Sequence, residues 1–314
     1  MSLFDGLLAL IVAGLGWRCI TAPDVYRAIV LFIVTGLMLA LTWVRLDAPD
    51  LALAEAGIGA GLLGILLLST WRALLHAGPE QADQPPASRT VRHLAALGSI
   101  VLGVAVAVAL HQVHTLIDGE RAGTIALDSL DAAGVDQPVT AVLLNFRSYD
   151  TLLEMGVLLM ALIGAVLLRS PLIQRPGADD AGTDSPLIPV LVTVFVPLVV
   201  LMGAFLVWAG AYMPGGAFQG GAVMAGAGVM LVLGGRLHSA DHIGLLMRVL
   251  LILGVTVFIV AGLLVMPLEG AFMAYPRALV TPLMVTIEFS LAISIALTLL
   301  LLFTGTTGLR RADP

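Results

Sequence analysis

The sequence predicts an all-α polytopic membrane protein of about nine transmembrane helices, with its N-terminus outside and its C-terminus inside. Three observations carry that prediction. Hydrophobic residues make up 59% of the 314 residues and charged residues 11%, where a soluble domain carries about 25% charged residues. Nine long apolar runs recur, near 3–17, 28–44, 51–71, 93–113, 148–168, 187–209, 217–235, 245–266 and 281–303. Each approaches the ~20 residues that cross a ~30 Å hydrocarbon core at ~1.5 Å per residue. The basic residues, all fifteen of them Arg, sort by side when the runs are threaded from outside. Arg18, Arg27, Arg72, Arg89, Arg92, Arg169, Arg175, Arg236, Arg248, Arg310 and Arg311 fall inside; Arg45, Arg121, Arg147 and Arg277 fall outside. The positive-inside rule selects this orientation over its mirror image, and an even helix count would spoil the sorting.

The first run begins at Met1-Ser2-Leu3-Phe4-Asp5 and lacks the basic n-region of a cleaved signal peptide, so it reads as a retained helix. Cys19, the single cysteine, sits near its inner end as a small packing residue; an intramolecular disulfide and a Cys/Cys metal site are excluded. Runs one to three form a block over residues 1–75. A polar stretch rich in Pro, Gln and Asp follows, from His76 to Thr90, and reads as an inner linker. Runs four and five make a two-helix block, 76–175. They are joined by a long acidic outer loop, 114–147, that carries Asp118, Glu120, Asp128, Asp131 and Asp136. A second inner linker, 170–186, leads to a four-helix block, 176–314.

Glycines cluster on the third run (Gly57, Gly59, Gly61, Gly64) and the seventh (Gly220, Gly221, Gly226, Gly228). Small residues four apart let helix backbones approach closely. The same residues also permit local unwinding or a π-bulge beside an ion path. The turn between runs six and seven, Met213-Pro214-Gly215-Gly216-Ala217-Phe218-Gln219-Gly220-Gly221, carries no charge and suits a tight turn or a re-entrant excursion.

Three acidic residues lie well inside apolar runs: Glu55, Glu154 and Glu288. A charge at that depth is costly and faces protein or water rather than lipid. Burial favours the neutral carboxylic acid, and a carboxyl that gains and loses a proton is what a proton path needs. The three fall at similar depth, in the outer part of the membrane. A structural hydrogen bond or snorkelling to the interface is the plainer reading of any one of them. Glu154 has the richest surroundings: Asp150 lies four residues before it on the same helix face, and Arg147 lies three before Asp150. That arrangement reads as a charged mouth leading to a deeper Glu, or as an ordinary helix start with an interfacial pair.

The histidines carry less. His111 and His114 fall at the outer end of run four, and His238 and His242 in the inner loop after run seven. No His/Glu cluster completes a metal site, and the sequence holds no phosphate-binding glycine loop, haem signature, trusted quinone box or nucleophile triad. No cofactor is expected. With no basic patch, nucleic acid is not an expected partner.

Three motifs together resemble one family. Ala48-Pro49-Asp50-Leu51-Ala52-Leu53-Ala54-Glu55-Ala56 is similar to the APDVALTEA signature of the three-helix D subunit of membrane-bound hydrogenases and of the C-terminal part of the large Mrp antiporter subunit. Phe146-Arg147-Ser148-Tyr149-Asp150-Thr151-Leu152-Leu153-Glu154 resembles the FRxxDTLxE element of the two-helix module that follows. Pro214-Gly215-Gly216-Ala217-Phe218-Gln219-Gly220-Gly221 resembles the SPGGGFxGG turn of the four-helix antiporter B subunit. The blocks of three, two and four helices match that division. The departures are Ala217 for the usual Gly, Met213 for Ser, Ala211-Tyr212 for a His-Asn pair, and Ala54 for Thr.

The resemblance implies a fused subunit of a Mrp-type cation/proton antiporter, or of a related complex-I-like assembly, in the cell inner (cytoplasmic) membrane. It leaves Na+, K+ or H+ alone open as the moving ion. The chain lacks the large fourteen-helix antiporter-like body and has no Lys, so that body is expected from partner subunits. Glu55, Glu154 and Glu288, with Asp50, Asp150 and Arg147, are the expected ion or proton path; Pro214, Gly215, Gly216, Gly220 and Gly221 are the expected structural turn. A self-sufficient secondary carrier is the alternative, but it would show paired repeats and broken helices. A purely structural scaffold is a third reading.

Overall fold

The structure, a computed structural model, describes residues 2–76, 88–116, 122–168, 187–240, 243–305 and 308–311. The two expected linkers lie almost wholly outside the described residues, as do Arg121, Arg169, Arg175, Asp118, Glu120 and His242. Thirteen α-helices and two π-helical segments account for nearly all of what is described. Seven helical stretches there are long and apolar enough to cross a membrane: Leu3–Ile20, Val25–Arg45, Pro49–Leu75, Ser148–Leu167, Leu187–Ala209, Leu245–Glu269 and Val280–Thr304. Two shorter apolar helices, His93–Ala109 and Ala217–Leu233, fall on the remaining two runs.

Helix α1 (Leu3–Ile20) starts at Ser2, whose hydroxyl accepts from the Asp5 amide while the Asp5 carboxylate accepts from the Ser2 amide at 2.8 Å. This reciprocal cap satisfies two of the amides that a helix start leaves orphaned. Helix α2 (Val25–Arg45), capped by Asp24, returns alongside it and ends with Arg45 bound to Asp5 at 2.9 Å. Cys19 donates to the Ala28 carbonyl at 3.3 Å across this hairpin.

The third run is not one regular helix. Helix α3 (Pro49–Ala54) passes into a π segment, π1 (Glu55–Leu62), before regular α4 (Leu63–His76) resumes. Three of its four glycines lie inside π1. In the seventh run, α11 (Ala217–Leu233), three of the four glycines serve close packing instead: Gly220 meets Val207, a Cβ on Gly221 would sit 2.9 Å from Ile295, and one on Gly228 2.5 Å from Leu300. Of the two readings of glycine, local unwinding holds for Gly57, Gly59 and Gly61, and tight packing for Gly64, whose Cβ would stand 2.7 Å from Ile33, and for most of the seventh run.

Helix α5 (Arg89–Leu116) exposes apolar side chains along its length, Leu94, Leu97, Ile100, Val101 and Val104 among them. The stretch expected as an outer loop is partly helical. It holds α6 (Ala122–Asp128), α7 (Leu130–Ala133), α8 (Pro138–Ala141) and a second π segment, π2 (Val142–Phe146). The chain breaks at Arg147 and continues as α9 (Ser148–Leu167).

The core belongs to the last four helices: α10 (Leu187–Ala209), α11, α12 (Leu245–Glu269) and α13 (Val280–Thr304). Helix α13 is central. Its Met284, Ile287, Leu291 and Ile295 are fully buried with Phe258 of α12, Val207 of α10 and Met155 of α9. Helix α11 also packs on π1 and α3, which joins the first block to the last. Beyond α11 and α13, β1 (Leu237–Ala240) pairs antiparallel with β2 (Gly308–Arg311), setting His238 opposite Arg310. The histidine expected in a loop therefore lies on a strand.

Candidate functional site

The site forms where the first block meets the turn between α10 and α11. Asp50 stands in the first turn of α3, behind Pro49, which is suited to an early helix position because it has no amide to satisfy. Its side chain is 6% exposed. One carboxylate oxygen accepts from the Gly215 amide at 2.8 Å and the other from the Gln137 side-chain amide at 2.6 Å. Gln219 donates to the Asp50 carbonyl at 3.3 Å. Buried charge is tolerated when it is hydrogen-bonded in this way.

The turn is shaped for close approach. The Gly216 amide donates to the Leu206 carbonyl at 2.8 Å, folding the turn back onto the end of α10. Gly216 has φ 117° and ψ −175°, a conformation open essentially to glycine. On its other side lies Glu288 of α13, 4% exposed. A Cβ on Gly216 would stand 3.2 Å from Glu288 Oε1, and one on Gly210 2.9 Å from Glu288 Oε2. Asp50 and Glu288 thus flank the same turn. Asp50 is fully engaged, whereas the buried Glu288 Oε2 has no hydrogen-bond partner.

A third element closes the site. Asp136 and Gln137 donate their amides to the Ala211 carbonyl at 3.1 and 3.3 Å, and the Thr140 hydroxyl donates to the Gly210 carbonyl at 2.5 Å. Thr151 of α9 donates to the Leu143 carbonyl at 2.6 Å. Between this segment, the turn and α13 is a cavity of about 60 Å³, lined by Thr140, Thr151, Gly216, Gln219 and Glu288 among others. Sequence reasoning does not single out Gln137, Thr140 or Gln219 by their chemistry. All are neutral, and two sit in a stretch that reads as loop; Gln219 is visible only as part of the turn motif.

The other expected path residues stand apart. Glu55 opens π1 and is half-buried; Gly36 of α2 and Gly59 of π1 make room for it, since a Cβ there would lie 3.2 and 2.5 Å from its Oε1. Glu154 is exposed, beside the buried Thr151 and Met155 on α9. Asp150 pairs with Arg147 at 2.5 Å, both partners largely in the open. Of the three intramembrane Glu, only Glu288 reaches the Asp50 turn among the contacts described. Pro214, Gly220 and Gly221 frame the turn: Gly220 packs on Val207 and Gly221 on Ile295. Tyr275, in the loop between α12 and α13, also buries a hydroxyl without a partner; burial pushes this phenol up to about 12, so it stays neutral. Among the described residues no group of three or more His, Cys, Asp or Glu is placed to hold a metal ion.

Comparison with known proteins matches two parts of the chain. The MbhD family model, which describes the D subunit of MBH, matches residues 10–76. The MnhB model, described as a domain related to the MnhB subunit of Na+/H+ antiporter, matches residues 187–308. A probable K(+)/H(+) antiporter A/B subunit of Rhizobium meliloti (strain 1021) is 27% identical over a match covering 60% of this chain and 22% of that protein. The uncharacterized protein MJ1307 of Methanocaldococcus jannaschii is 32% identical, over 30% of this chain and 42% of that protein. The solved Mrp complex from Dietzia sp. DQ12-45-1b contains a chain with the same fold. Its TM-score is 0.74 at 20% identity, and the match covers all of this chain and 36% of that one. The chain therefore spans less than half the length of the relatives it matches. Residues 10–76 thus match the MbhD model and residues 187–308 the MnhB-related model, both within one multi-pass membrane chain that shares the fold of a chain of the Mrp complex.

Proposed function

We propose that this chain is a membrane subunit of a Mrp-type cation (Na+ or K+)/proton antiporter, or of a related complex-I-like ion-translocating assembly, and that it lines part of the ion or proton path. It is a transporter component rather than an enzyme. The observation that carries this reading is the junction of the two family modules: Asp50 of the MbhD-type module is hydrogen-bonded to Gly215 of the MnhB-related domain, with buried Glu288 beside the same turn. The R. meliloti relative, named as a probable component of a K(+)/H(+) antiporter, supports the same class of activity.

The chain divides at the linkers into modules 1–75, 76–175 and 176–314. It crosses the inner (cytoplasmic) membrane nine times, with the N-terminus outside and the C-terminus inside. Glu55, Glu154 and Glu288 serve the path together with Asp50, Asp150 and Arg147. Large antiporter-like subunits supply the pumping core, since this chain has no Lys. The exposed position of Glu154 supports such partners, because an intramembrane carboxyl is costly against lipid.

The test is reconstitution. Mild detergent should return the chain in a complex with other polytopic subunits, and that complex in liposomes should exchange Na+ or K+ for protons. The purified chain alone should not. Robust exchange by the chain alone would replace this reading with that of a self-sufficient carrier. Exchange that survives neutralising all three Glu would leave only the scaffold.

A further inference from the structure

We propose that the cavity at the Asp50 turn is a binding site for one dehydrated monovalent alkali cation, held by Glu288, Gln219, Thr140 and Thr151. The proposal deepens the antiporter reading and rests on it. Glu288 is 4% exposed, lines the cavity and leaves Oε2 without a hydrogen-bond partner. A buried carboxyl without a partner either holds its proton or is balanced by a counter-charge, and a cation in the cavity supplies the second. Glu288 enters no salt bridge among the described residues.

The two threonine hydroxyls of the cavity have committed their protons elsewhere, and Gln219 directs one amide proton away. Thr140 donates to the Gly210 carbonyl, Thr151 to the Leu143 carbonyl, and the Gln219 amide nitrogen to the Asp50 carbonyl. A hydroxyl has one proton and two lone pairs, and a carboxamide oxygen only accepts. These groups therefore offer the cavity acceptor oxygens. Two acceptors converge on one point: where a Gly216 Cβ would stand, Glu288 Oε1 is 3.2 Å away and Gln219 Oε1 is 3.4 Å away. The backbone at Gly216 keeps that space clear. A pocket of acceptor oxygens with one carboxylate selects a hard cation. One carboxylate among neutral oxygens balances a single positive charge, and among the described residues no cluster of three acidic or imidazole groups provides for a divalent ion. The volume of about 60 Å³ has room for one such ion.

The experiment uses the assembled complex, purified in choline chloride and titrated with radioactive 22Na+ or 86Rb+ at constant ionic strength. Wild type should bind one more cation per copy of this chain than Glu288→Gln, and Glu288→Asp should keep part of that binding. Gln219→Leu and Thr140→Val each remove one ligand and should weaken the Glu288-dependent binding about tenfold. Equal stoichiometry in wild type and Glu288→Gln overturns the site. If Glu288→Gln does not assemble, unchanged affinity in both Gln219→Leu and Thr140→Val overturns it instead. Ion exchange in vesicles separates the two readings. Normal exchange without this binding sinks the site alone; site-dependent binding by a complex that exchanges nothing sinks the transport reading alone.

Discussion

Asp50 accepts a 2.8 Å hydrogen bond from the Gly215 amide, across 165 positions of sequence. The bond ties the start of a helix in one module to the turn of another. With the Gln137 amide on its second oxygen, the carboxylate fixes three separate segments at one point. Removing it should loosen all three. Asp50→Ala would strand two buried donors, each costing about 1–3 kcal/mol. Asp50→Asn keeps an acceptor for Gly215 and should do less harm. Thermal unfolding of the purified complex should rank wild type above Asn and Asn above Ala; equal midpoints for all three would mean that the junction contributes nothing.

Gly216 and Gly226 lie on the same short stretch and should respond oppositely to a methyl group. Gly216 has a conformation that an L side chain rarely adopts, and its Cβ would enter the cavity. Gly216→Ala should cost about 1–3 kcal/mol. Gly226 lies within a regular helix, and no atom stands within 4 Å of the position its Cβ would take. Gly226→Ala should therefore be neutral or stabilising by up to about 1 kcal/mol. Detergent-extracted yield and unfolding temperature report both; a tolerated Gly216→Ala would show that the turn can adopt another path.

Glu154 offers a cleaner separation of folding from transport. Its side chain is exposed on this chain, so Glu154→Gln leaves no internal partner unsatisfied. The variant should fold and assemble while transport falls sharply. Glu154→Asp should keep partial activity, and Asp150→Asn should matter less, since water replaces a group at the membrane edge. Glu55→Gln and Glu288→Gln should fall between. The measurement is antiport in inside-out vesicles normalised to assembled complex on native gels, and normal exchange by assembled Glu154→Gln would remove that residue from the path.

The proposed threading is open to labelling. With Cys19 replaced, a cysteine at the exposed Asp131 should react with an impermeant reagent from outside, and one at Asp83 or Asp180 only from inside. Labelling of the Asp131 position from the inner face alone would reverse the orientation.

The helical class and the apolar stretches were legible because a span must be long and greasy whatever its neighbours. Glu288 stood out as an acid in apolar sequence and Asp50 as part of the Ala48–Ala56 motif, but nothing local said that they share a turn. That fact depends on the docking of residues 136–140 onto Gly210 and Ala211, and a polar stretch with Pro and Gly carries a turn signal rather than a contact signal. Glu154 shows a different limit. Residues four apart mark a helix face, yet helical period alone does not say whether that face meets its own chain or another. From Glu55 onward the third run also departs from the α period, so a face read at about 3.6 residues per turn drifts through π1. The β1–β2 ladder was invisible, being two four-residue strands far apart in sequence.

Glu154 has a consequence for biogenesis on the proposed reading. A newly inserted copy presents this carboxyl on its outer wall before any other subunit joins it. An acid so placed costs a few kcal/mol until something covers it, a sizeable share of a domain's net stability. The chain is then weakest between insertion and assembly. An orphaned copy should be cleared by membrane proteolysis, and the helix that first shields Glu154 would decide which copies survive.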